Sequence, residues 1–402
     1  MCGFVSCTPS AVVLPENPAE PKPPTRNVRV LLIQNAERVR VDCPGPITAT
    51  DASGARVNAC PPGTSVWIDS SPDEGLLICR KPVASPQIVL HPGPGDYLRV
   101  QVEPPDPVRP ATLYSGNLHV STAHDGRINV TNLVDVETYV TGVVAEEVWP
   151  TFADEALRVQ AIAARTYVLC QMERRASDPY DVSATQSSQV YRGIRHDLVG
   201  RRALEATRYT RGLVGTWHDG QTDRLFPTYY SAACGGVSQS AAIFGKTDDI
   251  PPLAGGVKCD YCRIAPGQSY RWGPVRLQPE EAFARLLARY PDLESLRWID
   301  DITVTDRTAS GRPMWLRLHG AEGQTHDILA ERFRLALGGH TIRSTDCDIT
   351  VTRSHWIFEN GKGFGHGLGL CQWGTQGQAL AGRSAAQILR YYYPGSKITR
   401  VY

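Results

Sequence analysis

The sequence predicts an α+β protein of mixed small β-sheets and short helices, with a β-rich unit near its N-terminus. Three observations predict this. Between Asn27 and Glu103 short β-branched runs recur at close intervals. From Val136 the spacing of apolar residues changes to that of a helix. The chain also carries 30 Pro and 36 Gly in 402 residues, which favours many turns and short elements.

Taken in order, residues 1–26 read as a tether rich in Pro, Ala and Glu. Cys2 and Cys7 stand at its start. A Cys followed by such a tether resembles a mature lipoprotein; a plain disordered tail is the other reading. Residues 27–106 form the β-rich unit. Its strands are expected around Val28–Ile33, Val39–Val41, Val66–Ile68, Leu76–Ile78, Ile88–Leu90 and Tyr97–Val100, with a turn at Asp51–Gly54. This pattern suits a small sandwich or barrel-like unit. The Pro-rich stretch 104–110 reads as a linker, and a larger domain follows over 110–402.

That domain opens with strand-like Leu113–Val120 and a hairpin turn at Asp125-Gly126. Val136, Tyr139, Val140, Val143, Val144 and Val148 then recur at helical spacing, with Asp135 able to cap the start and Pro150 closing the end. A second helix opens near Asp154-Glu155 and runs through an alanine-rich stretch to Val168, which permits close approach to a neighbour. Further helices are expected over 198–211, 279–290 and 385–392.

Charge narrows the function classes. Lys plus Arg number 42 and Asp plus Glu 41, so the basic excess of a nucleic-acid binder is absent. No run of about 18 apolar residues is present to form a membrane-spanning helix. The eleven cysteines are many for a cytosolic enzyme, and an odd number cannot all pair within one chain.

Three clusters could carry chemistry. Glu146 and Glu147 sit together at the end of the first helix beside Val143, Val148 and Trp149. Apolar neighbours and an adjacent like charge raise a carboxyl pKa, as a general acid requires, although a Glu pair at a helix end also reads as an exposed charged face. Glycines alternate around His366 in Gly363-Phe-Gly-His-Gly-Leu-Gly369, a setting that favours a cleft-facing ring. Cys371, five residues on, makes a poor partner for His366 as a nucleophile–base pair. Cys259 and Cys262 have the spacing that lets two thiolates bind one metal, with Cys234 and Cys371 as the remaining candidates; a disulfide or free thiols are the alternatives. Tyr191, Tyr229, Tyr230, Trp356, Trp373 and Tyr391 to Tyr393 offer the flat apolar faces that suit sugar rings, or simply a core.

Together these segments resemble the SpoIID/LytB family. The resemblance is carried in order by Asn132–Glu147, Glu155–Tyr167, Ser188–Gly193, Tyr230–Gly236, Gly365–Gly374 and Ile388–Gly395, and covers roughly residues 110 to 402. It implies a SpoIID-like domain with a grooved active site. It implies cleavage of the MurNAc–GlcNAc bond of peptidoglycan as a lytic transglycosylase, leaving a 1,6-anhydro end. Glu147, five residues after Gly142, takes the place of the essential Glu, as general acid and then general base. Because the C6 hydroxyl replaces water, no second carboxylate at glycosidase spacing is required. Gln189, Tyr191, Gly235, Gly236, His366 and Gln372, within the matching motifs, are expected to contact substrate.

The family also contains non-catalytic enhancers of N-acetylmuramoyl-L-alanine amidases, so a wall-binding enhancer is the alternative function. Expected partners are glycan strands and a cell-wall amidase, with no nucleic acid, and with a membrane only through an N-terminal lipid anchor. The expected location is the extracytoplasmic envelope. No cofactor is needed for the chemistry; a structural zinc on Cys234, Cys259, Cys262 and Cys371 is our own expectation rather than a family rule. Two departures stand out. Glu-Val-Trp-Pro replaces the family's usual Glu-Met-Pro and is one residue longer. The His and Cys metal ligands that some relatives place before the Gln-Val-Tyr segment are absent from 181–188.

Overall fold

The computed structural model describes residues 26–57, 63–71, 73–103, 112–123, 125–244, 250–265 and 270–402. The expected tether up to residue 25, with its lipoprotein-like start, Cys60 and the linker 104–110 lie outside the described residues. The chain forms two compact units. One comprises the described residues of Glu16–Val214 with Leu225–Pro227 and Thr399–Tyr402; the other holds Gly215–Arg224 and Thr228–Ile398.

The first unit contains β1 (Asn27–Ala36), β2 (Arg38–Asp42), β3 (Ile47–Asp51), β4 (Arg56–Val57), β5 (Val66–Ser71), β6 (Gly75–Ile78) and β7 (Lys81–Pro82). It continues with β8 (Gln87–Pro92), β9 (Leu98–Glu103), β10 (Thr112–Tyr114), β11 (Asn117–Thr122), β12 (Ile128–Asp135) and β13 (Val182–Ser183). A seven-stranded sheet runs β13-β1-β12-β11-β8-β3-β4, and a six-stranded sheet runs β10-β9-β2-β5-β6-β7. They meet where β1 lies against β9 and β11 against β6.

Alternation explains the burial. Ile128, Val130, Asn132 and Val134 of β12 point inward while their neighbours do not, and Val39 and Val41 of β2 do the same. The β-rich stretch 27–106 has no sheet to itself: β1 pairs with β12 and β8 with β11, so sheet pairing crosses the interval between 106 and 110. The expected β stretch Leu113–Val120 is two strands, parted at Ser115-Gly116 so that β10 joins one sheet and β11 the other.

Three helices complete this unit: α1 (Val136–Glu147), α2 (Asp154–Arg174) and α3 (Leu198–Tyr209), each packed on the other two. Asp135 ends β12 and caps α1, accepting from the N–H groups of Glu137 and Thr138 at 3.0 and 3.2 Å. Such a cap stabilises a helix by about 1 kcal/mol. The alanines of α2 are buried, as close packing demands, and among them lies a fully buried arginine, Arg165. Its guanidinium meets Glu137 through Nε at 2.8 Å and Nη2 at 2.6 Å, and donates to the Leu213 carbonyl at 3.1 Å. Tyr402 adds its hydroxyl to Glu137 at 2.7 Å. One ionic hub thus ties α1, α2 and the chain beyond α3.

In the second unit, the antiparallel strands Ile299–Arg307, Pro313–Gly320 and Thr325–Leu329 pack with helices over Pro279–Arg289 and Ala330–Leu337. Their core includes Leu286, Ile302, Leu318, Phe333, Trp356 and Phe358. The rest of the unit includes a three-stranded sheet of Val275–Leu277, Trp356–Glu359 and Asp348–Val351, the helices Gln372–Leu380 and Ala385–Tyr392, and short bridges and loops around the cysteines. The helices expected over 198–211, 279–290 and 385–392 are present, as Leu198–Tyr209, Pro279–Arg289 and Ala385–Tyr392.

Candidate functional site

Glu147 is the last residue of α1, and Val148 leaves the helix in extended conformation. The residue by which this segment exceeds Glu-Met-Pro therefore falls in the turn after the helix. That turn is closed by the Phe152 N–H on the Trp149 carbonyl at 3.0 Å. Arg202 of α3 clamps it from outside, donating to the Phe152 carbonyl at 2.6 Å and to Asp154 at 2.7 Å. The Trp149 ring stacks on Phe152 and stays partly exposed.

The half-buried Glu147 carboxylate is oriented by the chain: its Oε1 accepts the Val190 N–H at 2.7 Å. The segment that supplies this amide is locked beneath α1. Gln189 is fully buried and accepts the Tyr139 hydroxyl at 3.1 Å. Tyr191 is equally buried, with its ring 4.9 Å from that of Tyr139 and its hydroxyl donating to Asn132 at 3.2 Å. Burial pushes both phenols well above their usual range. Gly142 is what lets the two layers meet. A Cβ there would fall 2.7 Å from the Tyr191 ring and 2.5 Å from the Gly193 carbonyl.

Glu146 behaves differently from its neighbour. It faces Arg195 at 3.3 Å and Arg192 at 3.7 Å. The like charge expected to act on Glu147 is therefore answered by two guanidinium groups. Beside this segment lies a cavity of about 260 Å³ whose walls include Leu32, Val102, Thr112, Gln186, Val190 and Arg192.

The other sequence-derived candidates lie in the second unit. His366 is half-buried; its Nδ1 accepts the Leu368 N–H at 2.9 Å, which leaves the proton of a neutral ring on Nε2. Burial pushes its pKa down to about 4. Gly235 and Gly236 turn the backbone around Cys234, with the Gly236 carbonyl accepting the Cys259 N–H at 2.8 Å. Gln372 is buried in the first turn of the helix Gln372–Leu380.

Burial divides the expected substrate contacts. Gln189, Tyr191 and Gln372 are closed in the core, and Gly235 and Gly236 shape a cysteine loop. Glu147, His366, Gly235 and Gly236 are partly accessible. Sequence reasoning missed Arg192 and Arg195, whose signal was the need for cations near two adjacent carboxylates. It also missed the Arg165–Glu137 hub, signalled by a lone arginine in an alanine-rich buried helix.

Four sulfurs converge in the second unit. Cys234, Cys259, Cys262 and Cys371 are all buried and unpaired, and their sulfur atoms lie within 4.8 Å of one another. Cys371 heads the helix Gln372–Leu380, and its Sγ accepts the N–H groups of Cys234 and Gly374, each at 3.3 Å. Tyr392 Oη stands 3.0 Å from Cys259 Sγ. Burial pushes the Cys371 thiol well up. The disfavoured pairing of His366 with Cys371 as base and nucleophile finds no support in the His366 Nδ1, which accepts a backbone amide.

Comparison with known proteins places this architecture. The SpoIID family model, described as a stage II sporulation protein, matches residues 124–217. An uncharacterised protein of Brachyspira hyodysenteriae is 32% identical over 288 residues, covering 71% of this chain and 72% of that one. The chain belongs to the SpoIID/LytB family. Stage II sporulation protein D of Bacillus subtilis is 25% identical over 66% of this chain and 75% of its own length. The amidase enhancer of Bacillus subtilis is 23% identical over 64% of this chain but 40% of its own length. The family match spans β12, α1, α2 and α3, the elements that build the Glu147 region. Membership fits a cell-wall related function.

Proposed function

We propose that this SpoIID/LytB member is a peptidoglycan lytic transglycosylase acting through Glu147 in the extracytoplasmic envelope. The observation that carries the reading is the Val190 N–H on Glu147 Oε1, which fixes one half-buried carboxylate while its neighbour Glu146 is committed to arginines. Protonated, Glu147 donates its proton to the oxygen linking MurNAc C1 to GlcNAc C4 as that C1–O bond breaks. As the carboxylate, it then takes the proton of the MurNAc C6 hydroxyl while O6 bonds to C1. The products are a 1,6-anhydro end and a free GlcNAc 4-hydroxyl. One carboxyl serves both steps, the proton count closes, and no water enters. Trp149, two residues on and partly exposed, offers a face for a sugar ring.

The likeness to a protein named amidase enhancer supports a second reading, a peptidoglycan-binding partner that stimulates an N-acetylmuramoyl-L-alanine amidase and cuts nothing itself. Digestion of purified glycan strands, read by mass spectrometry, separates the two. Anhydro-ended products from the wild type and their loss in Glu147→Gln are the expected result. Absence of such products from the wild type would leave the enhancer reading standing, and equal yield from the variant would remove Glu147 from the reaction.

A further inference from the structure

We propose that Cys234, Cys259, Cys262 and Cys371 hold one structural zinc ion, and that the buried Arg312 is the counter-charge of the resulting tetrathiolate. The proposal stands independently of the reaction assigned to Glu147.

The backbone brings the four thiols together without help from sequence proximity. Tyr230-Ser231 pairs in parallel with Leu370-Cys371, which sets the Cys234 loop beside Cys371. Val237 bridges to Lys258, and the Cys259 N–H reaches the Gly236 carbonyl, which brings the Cys-x-x-Cys pair to the same point. Cys262 then lies one helical turn beyond Cys259, with its Sγ 3.8 Å from Cys234 Sγ. Tetrahedral zinc–thiolate bonds of about 2.3 Å require sulfur–sulfur edges of about 3.8 Å. A disulfide requires about 2.05 Å, and none of the four is so bonded.

Chemistry selects the ion class. Four sulfur donors within 4.8 Å of one another suit zinc, or iron in an iron–sulfur site. All four donors come from protein and all are buried, so the ion has no open position, as in structural zinc sites. The two backbone N–H groups on Cys371 Sγ supply hydrogen bonds that a thiolate uses well.

Arg312 is the independent observation. It is 2% exposed, and the carboxylates that act on it, Asp346 and Glu331, do so from beyond ion-pair distance. Its guanidinium reaches only neutral carbonyls, those of Cys234 at 2.9 Å, His366 at 3.0 Å and Gly365 at 3.4 Å, and its Nε has no hydrogen-bond partner. A buried cation without an anion in direct contact is costly. Four neutral thiols would leave it so. Four thiolates on one divalent ion carry a net charge of −2, and the guanidinium already rests on the backbone of one of the ligands.

The test uses the full chain, purified without chelators and with any affinity tag removed. Elemental analysis is expected to find about one zinc per chain. A mercurial reagent should release that zinc as four thiols react. Exchange with cobalt(II) should give the thiolate charge-transfer bands and intense visible bands of a tetrahedral tetrathiolate site. Cys262→Ser should weaken or abolish the cobalt bands, whereas Cys347→Ser, outside the cluster, should keep them. Arg312→Met should lose zinc to a competing chelator faster than the wild type. Less than about 0.2 metal per chain, one iron per chain, or a native disulfide within the set would overturn the zinc assignment. Zinc retention unchanged in Arg312→Met would overturn the counter-charge. The wild-type metal content and cobalt spectrum decide the matter even if a variant fails to fold.

Discussion

The end of α1 and the cysteine cluster are both built by bringing sequence-distant loops against a helix terminus, yet they differ in what they leave accessible. At α1, the terminus is a carboxylate, half-buried, with one oxygen fixed by a backbone N–H. At the helix Gln372–Leu380, the terminus is a sulfur, fully buried, with backbone amides and three other sulfurs around it. Fixed orientation with partial access is what proton transfer to a substrate needs. Complete enclosure suits the structural role proposed for the sulfurs. The difference teaches that these two regions should fail in opposite ways when altered.

The largest expected effect is on activity alone. Glu147→Gln keeps an acceptor for the Val190 N–H but cannot donate a proton to the glycosidic oxygen. Turnover of glycan strands should fall by about 10² to 10⁴-fold, with the urea midpoint unchanged. A parallel loss of stability would mean that the carboxylate is structural and would erase the contrast.

Next is the hub behind α1. Arg165→Met leaves Glu137 buried without its cation and should cost about 3–5 kcal/mol in urea unfolding. The same pair predicts a pH dependence. Burial alone would raise the Glu137 pKa, but the charge and hydrogen bonds of Arg165, with those of Tyr402 and Gly212, outweigh it and hold the carboxyl below its ordinary 4.5. A depressed carboxyl stabilises the fold above its unfolded pKa. That contribution should therefore be full above 4.5, fade as pH falls through the lower folded value, and be missing from Arg165→Met.

A smaller stability loss, with the opposite signature to Glu147→Gln, is expected at Gly374. A Cβ at this position would fall 2.0 Å from Tyr392 Oη and 2.5 Å from Cys259 Sγ. Gly374→Ala should lower stability by about 1–3 kcal/mol and loosen the cysteine set, measured as faster alkylation of its thiols in the native protein. Unchanged thiol reactivity would show that the cluster tolerates displacement.

The smallest effect should come from Glu146→Gln. Its arginine partners are more than a third exposed, so solvent screens the pairs. Stability should change by less than about 1 kcal/mol, and glycan cleavage should stay within tenfold of the wild type. A loss matching that of Glu147→Gln would transfer the catalytic role to the neighbouring carboxylate.

Legibility in the sequence followed the range of the interaction. Asp135 as a cap, the apolar spacing of α1 and the alanine run of α2 are local signals, and each appears where the pattern placed it. The same local reasoning failed for Gln189 and Tyr191. Polar and aromatic residues in a motif look available, but only packing reveals that Tyr139 and Asn132 already occupy them. Glu146 and Glu147 were indistinguishable by composition; motif position favoured one, and Arg192 and Arg195 then account for the other. The Cys-x-x-Cys pair was visible as a half-site with disulfide and metal readings level, while the convergence of all four sulfurs was visible only in the tertiary structure.

By itself the sequence determined five of the helices and several strands of the first unit, the family, and the two places worth examining, because helical period, strand alternation and capping depend on neighbours within a few residues. Tertiary structure alone decided the rest. It joined β1 to β12 across a hundred residues, answered Glu146 with arginines, enclosed Gln189 and Tyr191, and gathered Cys234, Cys259, Cys262 and Cys371 around one point. Burial and charge pairing are sums over neighbours from distant parts of the chain, and no local pattern contains that sum.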